Sequence, residues 1–280
     1  MRSVTPLFMV ATPLALLCAG ANADPPAVVT PGTPPPPGAE PNAPLVDPNA
    51  EKLLARMADY LRSLPAFRVR TDTSREEIVH GDFKIERASQ ATVTLEHPDR
   101  LRADVVGDNG GRTFVYDGKN VSVYTAPEDY AATTPAPATI TQMLDTMLQR
   151  YGVEFPLLDV IYTAAGGNIA ASFVEAGDIG PSRVGGVDCE HLAFRGPRAD
   201  WQVWVQRGDR PLPLKIVVTT REAPLAPETT ALLTWEVAPS FDPSVFRFTP
   251  PPGAKPIPFQ PLAGTQPEAP KAAPPVNSKP

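Results

Sequence analysis

The sequence predicts an α+β fold that is mainly β, with its strands antiparallel. Two runs of strand-like segments are joined by very short connections, so no helix is available to return a strand in parallel. Helical spacing interrupts them twice, once at the start and once mid-chain. Proline marks the edges: of 37 prolines, ten fall in residues 24–48, eleven in 250–280, and only fourteen in 49–249. The middle is thus one globular domain, 48–249, between a proline-rich linker (24–47) and a proline-rich tail (250–280), both expected to be disordered. No Gly-X-Y period supports collagen, and 42% hydrophobic residues exclude a wholly disordered chain.

In chain order, Asp47-Pro48 opens a helix whose apolar positions Ala50, Leu53, Leu54, Met57, Leu61 and Leu64 recur at three- and four-residue spacing, and Pro65 ends it. Segments 67–79, 83–97, 100–107, 112–116 and 120–125 then read as strands. Asn109-Gly110 and Asp117-Gly118 supply the positive φ of tight hairpins. Three prolines make 126–138 a loop. Ile140, Met143, Leu144, Met147 and Leu148 restore helical spacing up to Tyr151-Gly152, and a second short helix follows around Phe155–Tyr162. Strands resume at 169–176, 182–187, 189–195, 200–207, 212–221 and 229–238, giving about eleven in all.

The N-terminus reads as a cleaved signal peptide over 1–23. Met1-Arg2 begins it, Leu7 to Gly20 is apolar, and Ala21-Asn22-Ala23 places small residues before a cut at Asp24. The apolar run is interrupted at Thr12-Pro13 and is too short to span about 30 Å of hydrocarbon. Lipoprotein processing at Cys18 is disfavoured by the bulky Leu17 ahead of it. Export leaves Cys189 as the remaining thiol, so no internal disulfide is expected. A balance of 25 Lys+Arg against 31 Asp+Glu, net −6 with no long basic run, argues against nucleic acid as a partner.

Motifs for catalysis are missing: the chain has no G-x-S-x-G, no phosphate loop and no H-E-x-x-H. Cys189 and His191 share a strand face, but no orienting third group is evident and packing is the better reading. Asp129, Asp145, Asp159 and Asp178 lack calcium-loop spacing. The chain is therefore read as a non-enzyme without cofactor or metal. Trp201, Val203 and Val205 alternate with Gln202, Trp204 and Gln206, which puts the two tryptophans on opposite faces of the sheet. Each buries roughly 150–250 Å² wherever it packs. Two uses stay open for Trp201 and Val203: plain core, or the wall of a ligand cavity.

The stretch Asp188-Cys189-Glu190-His191-Leu192-Ala193-Phe194-Arg195, followed by Asp200-Trp201-Gln202-Val203-Trp204-Val205, Pro211-Leu212-Pro213-Leu214-Lys215 and Thr219-Thr220, closely resembles a bacterial family of predicted periplasmic proteins. It is the two-thousand-ninety-second domain of unknown function, and the likeness covers about residues 48–250. More loosely, Tyr116-Asp117-Gly118-Lys119, the mid-chain helices and Phe246-Arg247-Phe248 before prolines resemble the LolA/LolB-like lipoprotein-localisation superfamily. That resemblance implies a half-open antiparallel β-barrel with a short helical lid, working in the periplasm. A lipid, an acyl chain or a lipidated protein would lie between the sheet and a lid at 139–162. Leu144, Met147, Leu148 and Tyr151 would line the lid, opposite Trp201 and Val203. Peripheral contact with a membrane is compatible with this. The alternative is an envelope scaffold with a packed interior whose partner is a protein.

Overall fold

The computed structural model describes residues 46–262 except Asn109. The signal peptide, Cys18, most of the 24–47 linker and the tail beyond Leu262 lie outside the described residues.

Helix α1 (Pro48–Ser63) starts where Asp47 accepts a hydrogen bond from Asn49 N at 2.8 Å and Pro48 takes the first turn. Its buried face is Ala50, Leu54, Met57 and Leu61, four of the positions the periodicity selects. Five strands follow: β1 (Ala66–Val79), β2 (Phe83–Glu96), β3 (Arg100–Gly107), β4 (Gly110–Tyr116) and β5 (Asn120–Thr125). In the β4–β5 hairpin, Asp117 Oδ1 accepts from Lys119 N and Asn120 N at 2.9 and 2.7 Å. Gly118 has φ 89°, and a Cβ there would lie 2.5 Å from Asp99 Oδ2, so glycine is required twice over.

The next segment differs from expectation. Residues 126–138 are not all loop, because β6 (Tyr130–Pro135) pairs antiparallel with β5. Its prolines sit at its end and outside it, where a near-edge strand tolerates them. Helices α2 (Ile140–Tyr151) and α3 (Leu158–Ala164) come next, then β7 (Glu175–Val184), β8 (Val187–Arg195), β9 (Ala199–Gln206), β10 (Pro213–Thr220), β11 (Glu228–Ala238) and the short β12 (Lys255–Pro256). The two strands expected at 169–176 and 182–187 are one strand, β7, preceded by a 3-10 turn at Ala170–Ser172. A bulge between Asp178 and Gly180 lets that strand run through Gly180-Pro181, which read as a break in the sequence.

Among the described residues all strands form one sheet, in the order β12-β6-β5-β4-β3-β2-β1-β11-β10-β9-β8-β7, antiparallel except for β12 against β6. The sheet therefore has twelve strands rather than about eleven, and its edges, β12 and β7, do not meet to close a barrel. The two halves of the chain join along β1 and β11, in register from Ala66↔Ala238 to Arg75↔Thr229. Since β6 and β7 stand near opposite edges, the chain between them must cross one face. That crossing is α2 and α3, and α1 packs beside α3 on the same side. The core lies between this helical layer and the sheet.

The domain was expected to end at 249, yet residues 250–262 continue in place. Strand β12 pairs with Tyr130 and Ala131 of β6, Phe259 packs on Tyr151 with ring centroids 5.2 Å apart, and Leu262 N donates to Arg150 O at 2.8 Å. Two paired residues and one aromatic contact have no periodicity for a sequence to display.

Candidate functional site

Along β1, one face reads Phe67, Val69, Thr71, Thr73, Arg75. The first three are buried, Thr73 is exposed to a greater degree and Arg75 stands at the open end. The same gradient runs on β4, where Tyr116 and Phe114 are buried and Arg112, in phase with them, is not. Strand alternation forces this grouping. The helix-facing side of the sheet is apolar at one end and charged at the other.

At the changeover lies a cavity of about 660 Å³, open to solvent. Residues of β1–β4 and β9–β11 form one wall, so the sheet curls around it; residues 154–160, the link from α2 into α3, form the other. Its inner surface is apolar: Phe114, Phe155, Trp201, Ile216, Val218 and Ala231. Phe114 and Phe155 meet across it at 4.8 Å. A belt of hydroxyls follows, Thr71, Thr73, Ser89, Thr220 and Thr229. Charges stand at the mouth, with Arg75 and Arg112 on the sheet wall and Glu154 and Asp159 on the opposing segment.

Trp201 is 4% exposed and is packed by Phe173 and Phe194. Its indole Nε1 is buried and makes no hydrogen bond. Asp159 is the acid that feels it: burial pushes the Asp159 carboxyl up, and the nearby Trp201 indole draws it partly back without completing a hydrogen bond.

The residues proposed from sequence do not all come together here. Trp201 is on the cavity wall. Val203, on the same strand face, is fully buried core. Leu144 and Met147 are buried under α2 and do not line the cavity; Leu148 points outward with 37% exposure, and Tyr151 packs on Phe259. The wall expected from α2 is supplied instead by the segment after it, because the helix lies flush on the core and only the link stands off the sheet. Arg75 and Arg112 were missed, although each falls in phase with buried apolar residues of its strand, Phe67 and Val69 on β1 and Phe114 and Tyr116 on β4.

Cys189 and His191 do share a strand, and the histidine faces away from the helices. His191 Nε2 lies 3.0 Å from Gln202 Oε1, and its ring stacks on Trp204 at 4.0 Å with 10° between planes. Lys215 Nζ sits 4.4 Å from the centre of the Trp204 ring. Burial raises the Cys189 thiol, the opposite of nucleophile activation. Among the described residues, no three His, Cys, Asp or Glu are placed to hold a metal ion, and no helix is long and apolar enough to cross a membrane.

The family model for a predicted periplasmic protein, DUF2092, matches residues 50–260. The chain belongs to that family. The match runs from α1 to β12, and both walls of the cavity fall inside it. No curated protein matches the chain. Among solved structures, the fold is similar to an uncharacterised conserved protein from Thermus thermophilus, at 13% identity over 75% of this chain and 99% of that one, with a TM-score of 0.43. It is similar to the lipoprotein LppX of Mycobacterium tuberculosis, at 13% identity over 67% and 94% of the two chains, TM-score 0.41. A LolA superfamily protein from Nitrosomonas europaea is similar at 10% identity over 71% and 97%, TM-score 0.32.

Proposed function

We propose that this family member is an exported, non-enzymatic protein that binds or carries an amphiphile, whether a lipid, an acyl chain or the acylated end of a protein. The cavity carries the reading. Its volume of about 660 Å³ lies within the range of small-molecule sites, and its apolar floor and polar mouth match a chain attached to a head group. Each methylene moved from water to that floor contributes about 0.8 kcal/mol, so a chain of modest length supplies useful affinity without any special contact. The signal-peptide pattern of residues 1–23 supports export.

A second reading, the envelope scaffold, draws on the β1–β2 hairpin. These strands pair as far as Val79↔Phe83, while the pairing with β11 stops at Arg75 and that with β3 at Ser89. The hairpin end stands clear of the sheet, with Phe83 62% exposed, as a protein-docking element would. Native mass spectrometry of the protein purified from its own envelope separates the two. A carrier retains a co-purifying mass that organic extraction removes; a scaffold shows the bare chain or a protein partner.

A further inference from the structure

The mouth of the cavity has a chemical preference of its own. Arg75 and Arg112 stand on a sheet face whose in-phase residues toward the core are apolar or hydroxyl-bearing, with the Arg87–Glu77 pair the next charges out along the β1–β2 hairpin. Neither guanidinium has an ion pair or hydrogen bond among the described residues. The contrast with a neighbour is direct: Arg87, opposite Arg75 in the β1–β2 register, pairs with Glu77 at 3.0 Å. A partnered arginine is part of the surface, whereas these two point unpaired over a void.

A third donor faces the same space. Trp201, Val218, Thr229 and Arg75 lie in one row across β9, β10, β11 and β1. The row sets the unbonded indole N–H of Trp201 level with the Arg75 guanidinium. That N–H completes no hydrogen bond, although the Asp159 carboxyl of the facing wall is near enough to draw on it. The acids of the mouth, Glu154 and Asp159, stand on the other wall. The sheet wall is therefore a surface of donors and positive charge.

We infer that the ligand is an amphiphile with an anionic head group, its charge set toward Arg75 and Arg112 and its chain against Phe114, Phe155 and Trp201. This rests on the carrier reading above and adds the class of head group. A cationic amphiphile meets two unpaired guanidinium groups and is repelled, and a neutral one leaves them unused.

The test is calorimetric titration of the full mature protein with three ligands that share a twelve-carbon chain: dodecyl phosphate, monododecanoyl glycerol and dodecyltrimethylammonium, with inorganic phosphate as a fourth. Dodecyl phosphate should bind at least about tenfold more tightly than the neutral ester, by charge-assisted contacts that weaken with added salt. Inorganic phosphate should show no comparable binding. Arg75→Gln with Arg112→Gln should erase the phosphate preference, bringing dodecyl phosphate down to the affinity of the neutral ester. Arg75→Lys with Arg112→Lys should keep most of it. Both sites lie at the open mouth, so melting temperature should not move. Equal affinity for phosphate and ester, or a preference that survives the double Gln variant, would each overturn the inference while leaving the carrier reading intact. Inorganic phosphate binding as tightly as its dodecyl ester would overturn both, because the chain would then contribute nothing. If none of the chain-bearing ligands binds, the carrier reading itself fails.

Discussion

Helix α2 and the segment that follows it are built from similar apolar residues, yet they are buried against different things. Thr139 caps α2, Gly152 ends it in the left-handed region at φ 64°, and its inner face of Ile140, Met143, Leu144 and Met147 is closed against the sheet. The following residues run irregularly through Pro156 and through Leu157 at φ 53°, and α3 begins without a side-chain cap. There Phe155, Leu157 and Leu158 border open space. Helical spacing tells which residues turn away from water. It does not tell whether protein or a void lies behind them.

The sharpest way to break this comparison is to truncate each side. Met147→Ala or Leu144→Ala should cost about 2–5 kcal/mol of folding free energy, read by urea denaturation, with binding per folded molecule unchanged. Leu158→Gln, on the half-exposed wall, should change stability by less than about 1 kcal/mol and weaken a fluorescent fatty-acid probe several-fold. A swap of those two outcomes would return the lid to α2.

Much of the fold was legible because the sheet alternates cleanly. The α1 face, the hairpin at Asp117-Gly118 and the strands from β8 to β11 follow from residue type and spacing. What was hidden has physical reasons. Strand β6 is short and edged by prolines, β7 bends through a bulge at Gly180-Pro181, and β12 is two residues of parallel pairing. The site was half legible. Alternation set Trp201 and Trp204 on opposite faces without telling which face is inner, and the cavity depends on how far residues 154–160 stand off the sheet, which no local pattern encodes. Arg75 and Arg112 could have been found by asking which charges fall in phase with Phe67, Val69, Phe114 and Tyr116.

Two smaller effects sharpen the contrast. Phe259 holds the C-terminal segment against the end of α2, so Phe259→Ala should cost about 1 kcal/mol and lower the melting temperature without altering probe affinity. Asp159 belongs to the other region. Its carboxyl is shifted up in the folded protein, so between the ordinary aspartate value and the raised one the folded state holds more protons than the unfolded chain. Stability contributed by this group is present below that window and falls as pH rises through it. Asp159 is solvent-exposed, which screens the effect, so Asp159→Asn should melt only slightly higher near neutral pH and gain nothing in acid below the ordinary aspartate range. A gain that persists in acid would point to a cause other than charge burial.

The central claim is that the space between the sheet and residues 154–160 is a binding site. Its most direct test is titration of delipidated wild-type protein, Leu158→Gln and Met147→Gln with one fluorescent fatty-acid probe, alongside their melting temperatures. Wild type should bind saturably one to one, Leu158→Gln should lose affinity at nearly unchanged stability, and Met147→Gln should lose stability at nearly unchanged affinity for the folded fraction. No saturable binding to wild type, or affinity that merely follows stability across the three proteins, would contradict that claim.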